Sequence, residues 1–111
     1  MQISIEEMDG GITKIVLDGR MDIEGAAKVD LKMNVIAGSC RFLLLDMQKV
    51  SFLGSMGLRS ILIPAQVVRR RGGKVVVLNP SPMVEEVFKT SKIDTLIPIH
   101  YEFGSALAAL Q

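Results

Sequence analysis

The chain is poor in the residues that do chemistry on their own. It has one cysteine, Cys40, one histidine, His100, and no tryptophan. A single cysteine cannot close an internal disulfide, and one Cys with one His cannot make a zinc set. A lone histidine with no partner near it in sequence reads as a structural residue rather than a base. Charge of one sign is also missing: the formal net charge is +1. That balance predicts no bulk attraction to nucleic acid or to an anionic membrane. No apolar run approaches the length of a membrane span, so no membrane insertion is expected. Met1–Glu7 is polar and alternating, unlike a secretion signal. These absences together point to a reducing, cytoplasmic setting.

Glycine signatures of enzymes are absent as well. A nucleophile elbow at Ser55 needs glycine two residues earlier, where Leu53 stands. A phosphate loop ending at Lys74 needs glycine at Val68 and a hydroxyl residue at Val75. No acidic residues pair in an obvious way. The expectation is a non-enzyme with no cofactor and no metal.

What is present suits one folded domain over residues 1–111. Hydrophobic residues make up 49% of the chain, too many for a disordered one. Gln2–Met8 alternates as a half-buried strand, and Asp9-Gly10-Gly11 is a hairpin turn signal leading to a return strand over Ile12–Leu17. Asp18-Gly19 closes that strand. Asp22 is placed to cap a first helix over Ile23–Ala37, with Ala26, Val29, Met33 and Ala37 as its inner stripe and Gly38 as its stop. Cys40–Met47 is a third strand and Lys74–Leu78 a fourth. Cys40 reads as a small buried residue, and the methionines mostly as core filler. Ser81-Pro82 opens a third helix through Thr90. Leu96–His100 is a short edge strand because Pro98 cannot donate to a sheet. Phe103–Leu110 closes the chain as a helix. The expected architecture is α/β: a mixed sheet opened by an N-terminal hairpin and covered by about four helices.

The chain is organised around Leu43–Leu62. A buried strand leads to a tight passage over Val50–Gly54, then to a helix over Ser55–Arg71 stopped by Gly72-Gly73. Gly54 lets the chain turn and leaves Ser55 uncovered. Ser55 lies at or beside the N-cap, where a hydroxyl can cap a backbone N–H or accept a phosphate at the positive end of a helix. Leu58, Ile61, Leu62, Ala65 and Val68 keep helical spacing. Met56 and Ile63 fall off that stripe and would form an apolar patch beside Ser55, with Arg59 one turn on. Arg69-Arg70-Arg71 reads as a solvated last turn complementing the dipole, or as an anchor for an acidic partner or a phosphate.

Leu17-Asp18-Gly19-Arg20-Met21-Asp22 resembles the L-x-G-x-[LI]-D signature of the STAS domain. Asp46–Leu58 resembles its D-L-S-x-V-x-F-[IM]-D-S-[ST]-G-L signature. Gly72–Leu78 and Ser81-Pro82 resemble its fourth-strand and third-helix openings. The resemblance covers nearly the whole chain and is closest to the small anti-sigma factor antagonists. It implies that the protein, when unphosphorylated, binds an anti-sigma factor that is also a GHKL-type serine kinase. That kinase would phosphorylate Ser55 and so be released, and a PP2C-type phosphatase would reset the switch. Asp22 matches the acidic residue near the acceptor. Gly54 stands where the pattern has Asp, and Met56 where it has Ser or Thr, which leaves Ser55 the only acceptor of the motif. The partner-binding set is Asp22, Gly54, Ser55, Met56, Gly57, Arg59 and Ile63. The alternative is a STAS scaffold subunit that is not phosphorylated, part of a stressosome-type or lipid-transport complex.

Overall fold

The computed structural model describes all residues, Met1–Gln111. Five strands form one sheet in the order β1-β2-β3-β4-β5. They are β1 (Gln2–Met8), β2 (Ile12–Met21), β3 (Phe42–Leu53), β4 (Lys74–Leu78) and β5 (Ile99–His100). The helices are α1 (Ile23–Ala37), α2 (Ser55–Arg70), α3 (Pro82–Thr90) and α4 (Phe103–Leu110). β1 and β2 pair antiparallel, and every other neighbouring pair is parallel. The hairpin turns at Gly10 and Gly11, both at positive φ, which side chains rarely adopt. The expected hairpin-opened mixed sheet with four helices is the architecture found.

Alternation along the strands sorts the core into two faces. Leu43, Leu45 and Met47 of β3 join Val75 and Val77 of β4 under α1, α2 and α3. Leu44, Val76 and Leu78 face the other way and meet Ala106 and Leu110 of α4. The inner stripe of α1, Ala26, Val29, Met33 and Ala37, is buried as its spacing predicts. Cys40 is buried too, and burial pushes its thiol above the ordinary value, so it behaves as a small apolar residue.

Several boundaries differ from the sequence expectation. β2 runs through Gly19 to Met21 instead of stopping at Leu17. Gly19, at positive φ, marks an irregularity in the register with β3 rather than a strand end. β3 begins at Phe42 and continues to Leu53, so Val50–Leu53 is strand and not a tight turn. Beyond Asp46, β3 has only β2 as a sheet neighbour, because β4 ends opposite that residue. β5 is only Ile99–His100, since Ile93–Thr95 forms a short 3-10 turn; Pro98, just before the strand, accepts the Val77 N–H at 2.9 Å but has no N–H to donate. Gly38 ends α1 in a right-handed conformation, its N–H donating to Asn34, so its glycine character is not what stops the helix. Ser81 holds the cap position of α3, but its hydroxyl donates instead to the Val50 carbonyl at 3.2 Å. That bond ties α3 to the β3 extension.

The arginine triplet divides. Arg69 and Arg70 lie in the last turn of α2 and are exposed. Arg71 folds back, and its guanidinium donates to the Ala37 and Cys40 carbonyls, each at 2.9 Å. Those groups lie at the end of α1, which has no basic residue in its own last turn. Arg71 thus satisfies carbonyls that the helix end leaves open. Arg71→Ala is expected to cost about 1–3 kcal/mol in urea unfolding, by loss of charge-assisted hydrogen bonds. Arg70→Ala is expected to stay within about 0.5 kcal/mol of wild type. Equal effects of the two would refute the division.

Candidate functional site

β2 and β3 are parallel neighbours, so the helices that follow them start at the same edge of the sheet. Asp22 caps α1: its carboxylate accepts the Gly25 N–H at 2.9 Å. That bond holds the carboxyl below its ordinary value, and the charge of Arg20 adds to the lowering. The Gly54 N–H donates to the Met21 carbonyl at 3.1 Å and fixes the start of α2 against the start of α1. Asp22, Ile23, Phe52, Gly54, Ser55 and Met56 line one recess there.

Gly54, not Ser55, is the N-cap of α2, and no side chain caps this helix. Ser55 is its first residue, exposed, and its hydroxyl makes no hydrogen bond within the chain. The capping role open to Ser55 is therefore not taken up. α2 also has no acidic residue in its first turn, whereas α1 has both Asp22 and Glu24 at its start. No residue of α2 itself compensates the positive end of its dipole, which lies beside an accessible hydroxyl.

The two glycines act differently from the expectation. Gly54 has an extended backbone, φ −92° and ψ −179°, which any residue adopts. Its constraint is spatial: a Cβ there would stand 3.2 Å from the edge of the Phe52 ring. The ring thus lies beside the place where the STAS pattern carries Asp. Gly57 is buried, and a Cβ would stand 2.6 Å from the Met21 Cβ and 3.1 Å from Leu53 Cδ1. Gly57 lets α2 seat against β2 and offers no surface of its own.

Met56 and Ile63 both face solvent, at 43% and 39% exposure. With Arg59, Asp30, Asn34, Ser60 and Pro64 they line a groove of about 380 Å³ between α1 and α2. Met56 belongs to both the groove and the recess and so joins them. Ser60 is buried, and its hydroxyl bonds to the Asp30 carboxylate and to the Met56 carbonyl. Spacing on α2 alone gave no sign of Asp30, Ser60, Phe52 or Ile23, because their part depends on which helix lies alongside. His100 is remote, on the edge strand, with Nδ1 3.3 Å from the Ser105 hydroxyl.

The family model of the STAS domain matches residues 3–106, and the chain belongs to the STAS domain family. Among its relatives, BtrV of Bordetella bronchiseptica, a candidate anti-sigma factor antagonist, is 27% identical, over 100% of this chain and 96% of that one. An anti-sigma F factor antagonist of Paenibacillus polymyxa is 25% identical, over 100% and 97%. The Bacillus cell-fate determinant SpoIIAA, solved in its phosphorylated form, superposes with a TM-score of 0.76 at 20% identity, covering 99% of this chain and 100% of that one. The last likeness establishes the shared fold.

Two measurements test this geometry. Gly57→Ala is expected to lose about 1–3 kcal/mol in urea unfolding, because its neighbours are backbone and packed side chains. Gly54→Ala is expected to lose less, since only the edge of one ring must move. The Asp22 cap gives a pH signature. Its carboxyl is lowered on folding, so its stabilisation is present above the ordinary value of 3.8 and lost as pH falls through the lower folded value. The Tm gap between wild type and Asp22→Ala is expected to be present near neutral pH and to narrow as pH falls below 3.8. A gap unchanged at low pH would remove the cap from the account.

Proposed function

We propose that the protein is an anti-sigma factor antagonist of a partner-switching pathway, with Ser55 as its phosphoacceptor. The observation that carries the reading is the unbonded, exposed hydroxyl of Ser55 at the first residue of α2, flanked by exposed Met56. Two relatives over the full chain carry the antagonist name or a candidate form of it. In the unmodified form, the recess and groove offer an apolar centre at Met56 and Ile63 with Asp22 and Arg59 at the rim. An interface with an apolar centre and polar rim suits a protein partner. That partner is an anti-sigma factor with GHKL-type serine kinase activity. It transfers the γ-phosphoryl group of ATP to Ser55 Oγ; the new P–O bond replaces the β–γ bridge, ADP leaves, and the hydroxyl proton goes to the kinase or solvent. A PP2C-type phosphatase then hydrolyses the phosphoserine.

Release follows from electrostatics rather than refolding. A phosphate brings a charge of about −1.5 to −2 into the patch that the partner covers. Stripping that group of water under the partner costs on the order of 3–5 kcal/mol, which is a loss of a hundredfold or more in affinity. The domain itself tolerates the group, because the α2 N-terminus already favours an anion.

One observation favours the scaffold alternative. α1 exposes Ile23, Leu31 and Val35 at 72%, 76% and 65%, an apolar surface suited to permanent association. Incubation with a GHKL-type kinase and ATP, read by intact mass, separates the two. One phosphate on wild type, none on Ser55→Ala, and at least hundredfold weaker kinase binding by the phosphoprotein are expected. No phosphate together with no kinase binding would replace switching by the scaffold reading.

A further inference from the structure

Arg20 is the cation nearest this site that the switching account leaves unused. Its Nε lies 3.6 Å from an Asp22 carboxylate oxygen, with the two side chains 63% and 41% exposed. Its guanidinium carbon lies 4.6 Å from the centroid of the Phe52 ring. Arg20 and Phe52 are direct partners across β2 and β3. Phe52 in turn forms a wall of the recess that holds Ser55 and Asp22. One cation thus stacks on one wall of the recess and pairs with another.

We propose that Arg20 is the phosphate-binding residue of the phosphorylated protein: its guanidinium exchanges the Asp22 carboxylate for the Ser55 phosphate while staying stacked on Phe52. This rests on the reading of Ser55 as the acceptor. An exposed ion pair at 3.6 Å is a weak one and exchanges readily. A phosphate on Ser55 would enter a recess already lined by the Asp22 carboxylate, with Glu24 in the same turn of α1. The two anions repel, and they compete for the one guanidinium that already pairs with Asp22. The planar guanidinium fork matches phosphate oxygens, and the dianion attracts it more strongly than a carboxylate does. Stacking on Phe52 limits the orientations the guanidinium must give up on binding. The Asp22 carboxylate keeps its Gly25 N–H after the exchange, so α1 stays capped.

The rival cation is Arg59, four residues after Ser55 on α2 and so on the same side of the helix. It borders the neighbouring groove with Asp30 and Asn34, where no aromatic ring holds it. Arg20 contacts two residues of the recess wall, Asp22 and Phe52, whereas Arg59 lines the groove.

The test uses the full chain with phosphoserine installed at position 55 during translation, followed by ³¹P NMR across the second phosphate ionisation. The wild-type background is expected to ionise about half a unit to one unit lower than Arg20→Gln, with Arg20→Lys between them and Arg59→Gln like wild type. Matching values in wild type and Arg20→Gln, or a shift that disappears only in Arg59→Gln, would overturn the assignment. Circular dichroism of each variant confirms the shared fold. Because the phosphate is installed without a kinase, this result stands apart from the kinase assay. Failure there with success here removes Ser55 phosphorylation as a natural event but leaves the phosphate-binding role of Arg20.

Discussion

The parallel pairing of β2 with β3 is the constraint on which the rest depends. Parallel neighbours send their following helices off from the same sheet edge, so the starts of α1 and α2 meet. The bond from the Gly54 N–H to the Met21 carbonyl continues this pairing past the end of β3. Buried Gly57 then lets α2 close onto Met21. Asp22 shares one recess with Phe52 and Ser55, which lie far along the chain from it, for this reason. The extension of β3 carries that recess beyond the end of β4, and the Ser81 bond to Val50 ties the extension to α3.

The two helix starts are chemically unlike, and the difference makes the site asymmetric. α1 is capped by Asp22 and has Glu24 in its first turn. α2 has no cap side chain and no acid, only the exposed Ser55 hydroxyl. A covalently added anion therefore finds a favourable backbone field on one side and a carboxylate on the other. Arg20, paired with that carboxylate in the unmodified chain, is the cation for which the two anions would compete. The recess and groove, joined at Met56, present an apolar surface whose charge one modification would change.

Much of the fold was legible because periodicity reports burial. The stripe Ala26, Val29, Met33 and Ala37 and the run Leu43–Leu45 could be read without coordinates, since each buries one face or both. Punctuation was less reliable. Gly19 looked like a strand end and is an irregularity within a strand; Gly38 follows the last residue of α1 as expected but is right-handed, so any residue could adopt its backbone. Ser81 opens α3 as expected, but its hydroxyl bonds across to β3. In each case the residue type permitted two local structures; for Gly19 and Ser81 the neighbouring strand β3 is the partner that distinguishes them. The arginine triplet divided for the same reason: only Arg71 reaches the open carbonyls at the end of α1.

The sequence by itself determined the order and type of the elements, the exposure of Met56 and Ile63, and the motif that singles out Ser55. These follow from properties local in the chain: alternation, helical spacing, and residue type at fixed offsets. Only the tertiary structure decided that Ser55 is unbonded, that Gly57 is buried while Gly54 is limited by Phe52, and that Arg20 stands on that same ring. Those facts depend on which strand lies beside which and how closely a helix approaches it. Contacts between residues some thirty positions apart are set by packing of the whole sheet, and no local pattern encodes them.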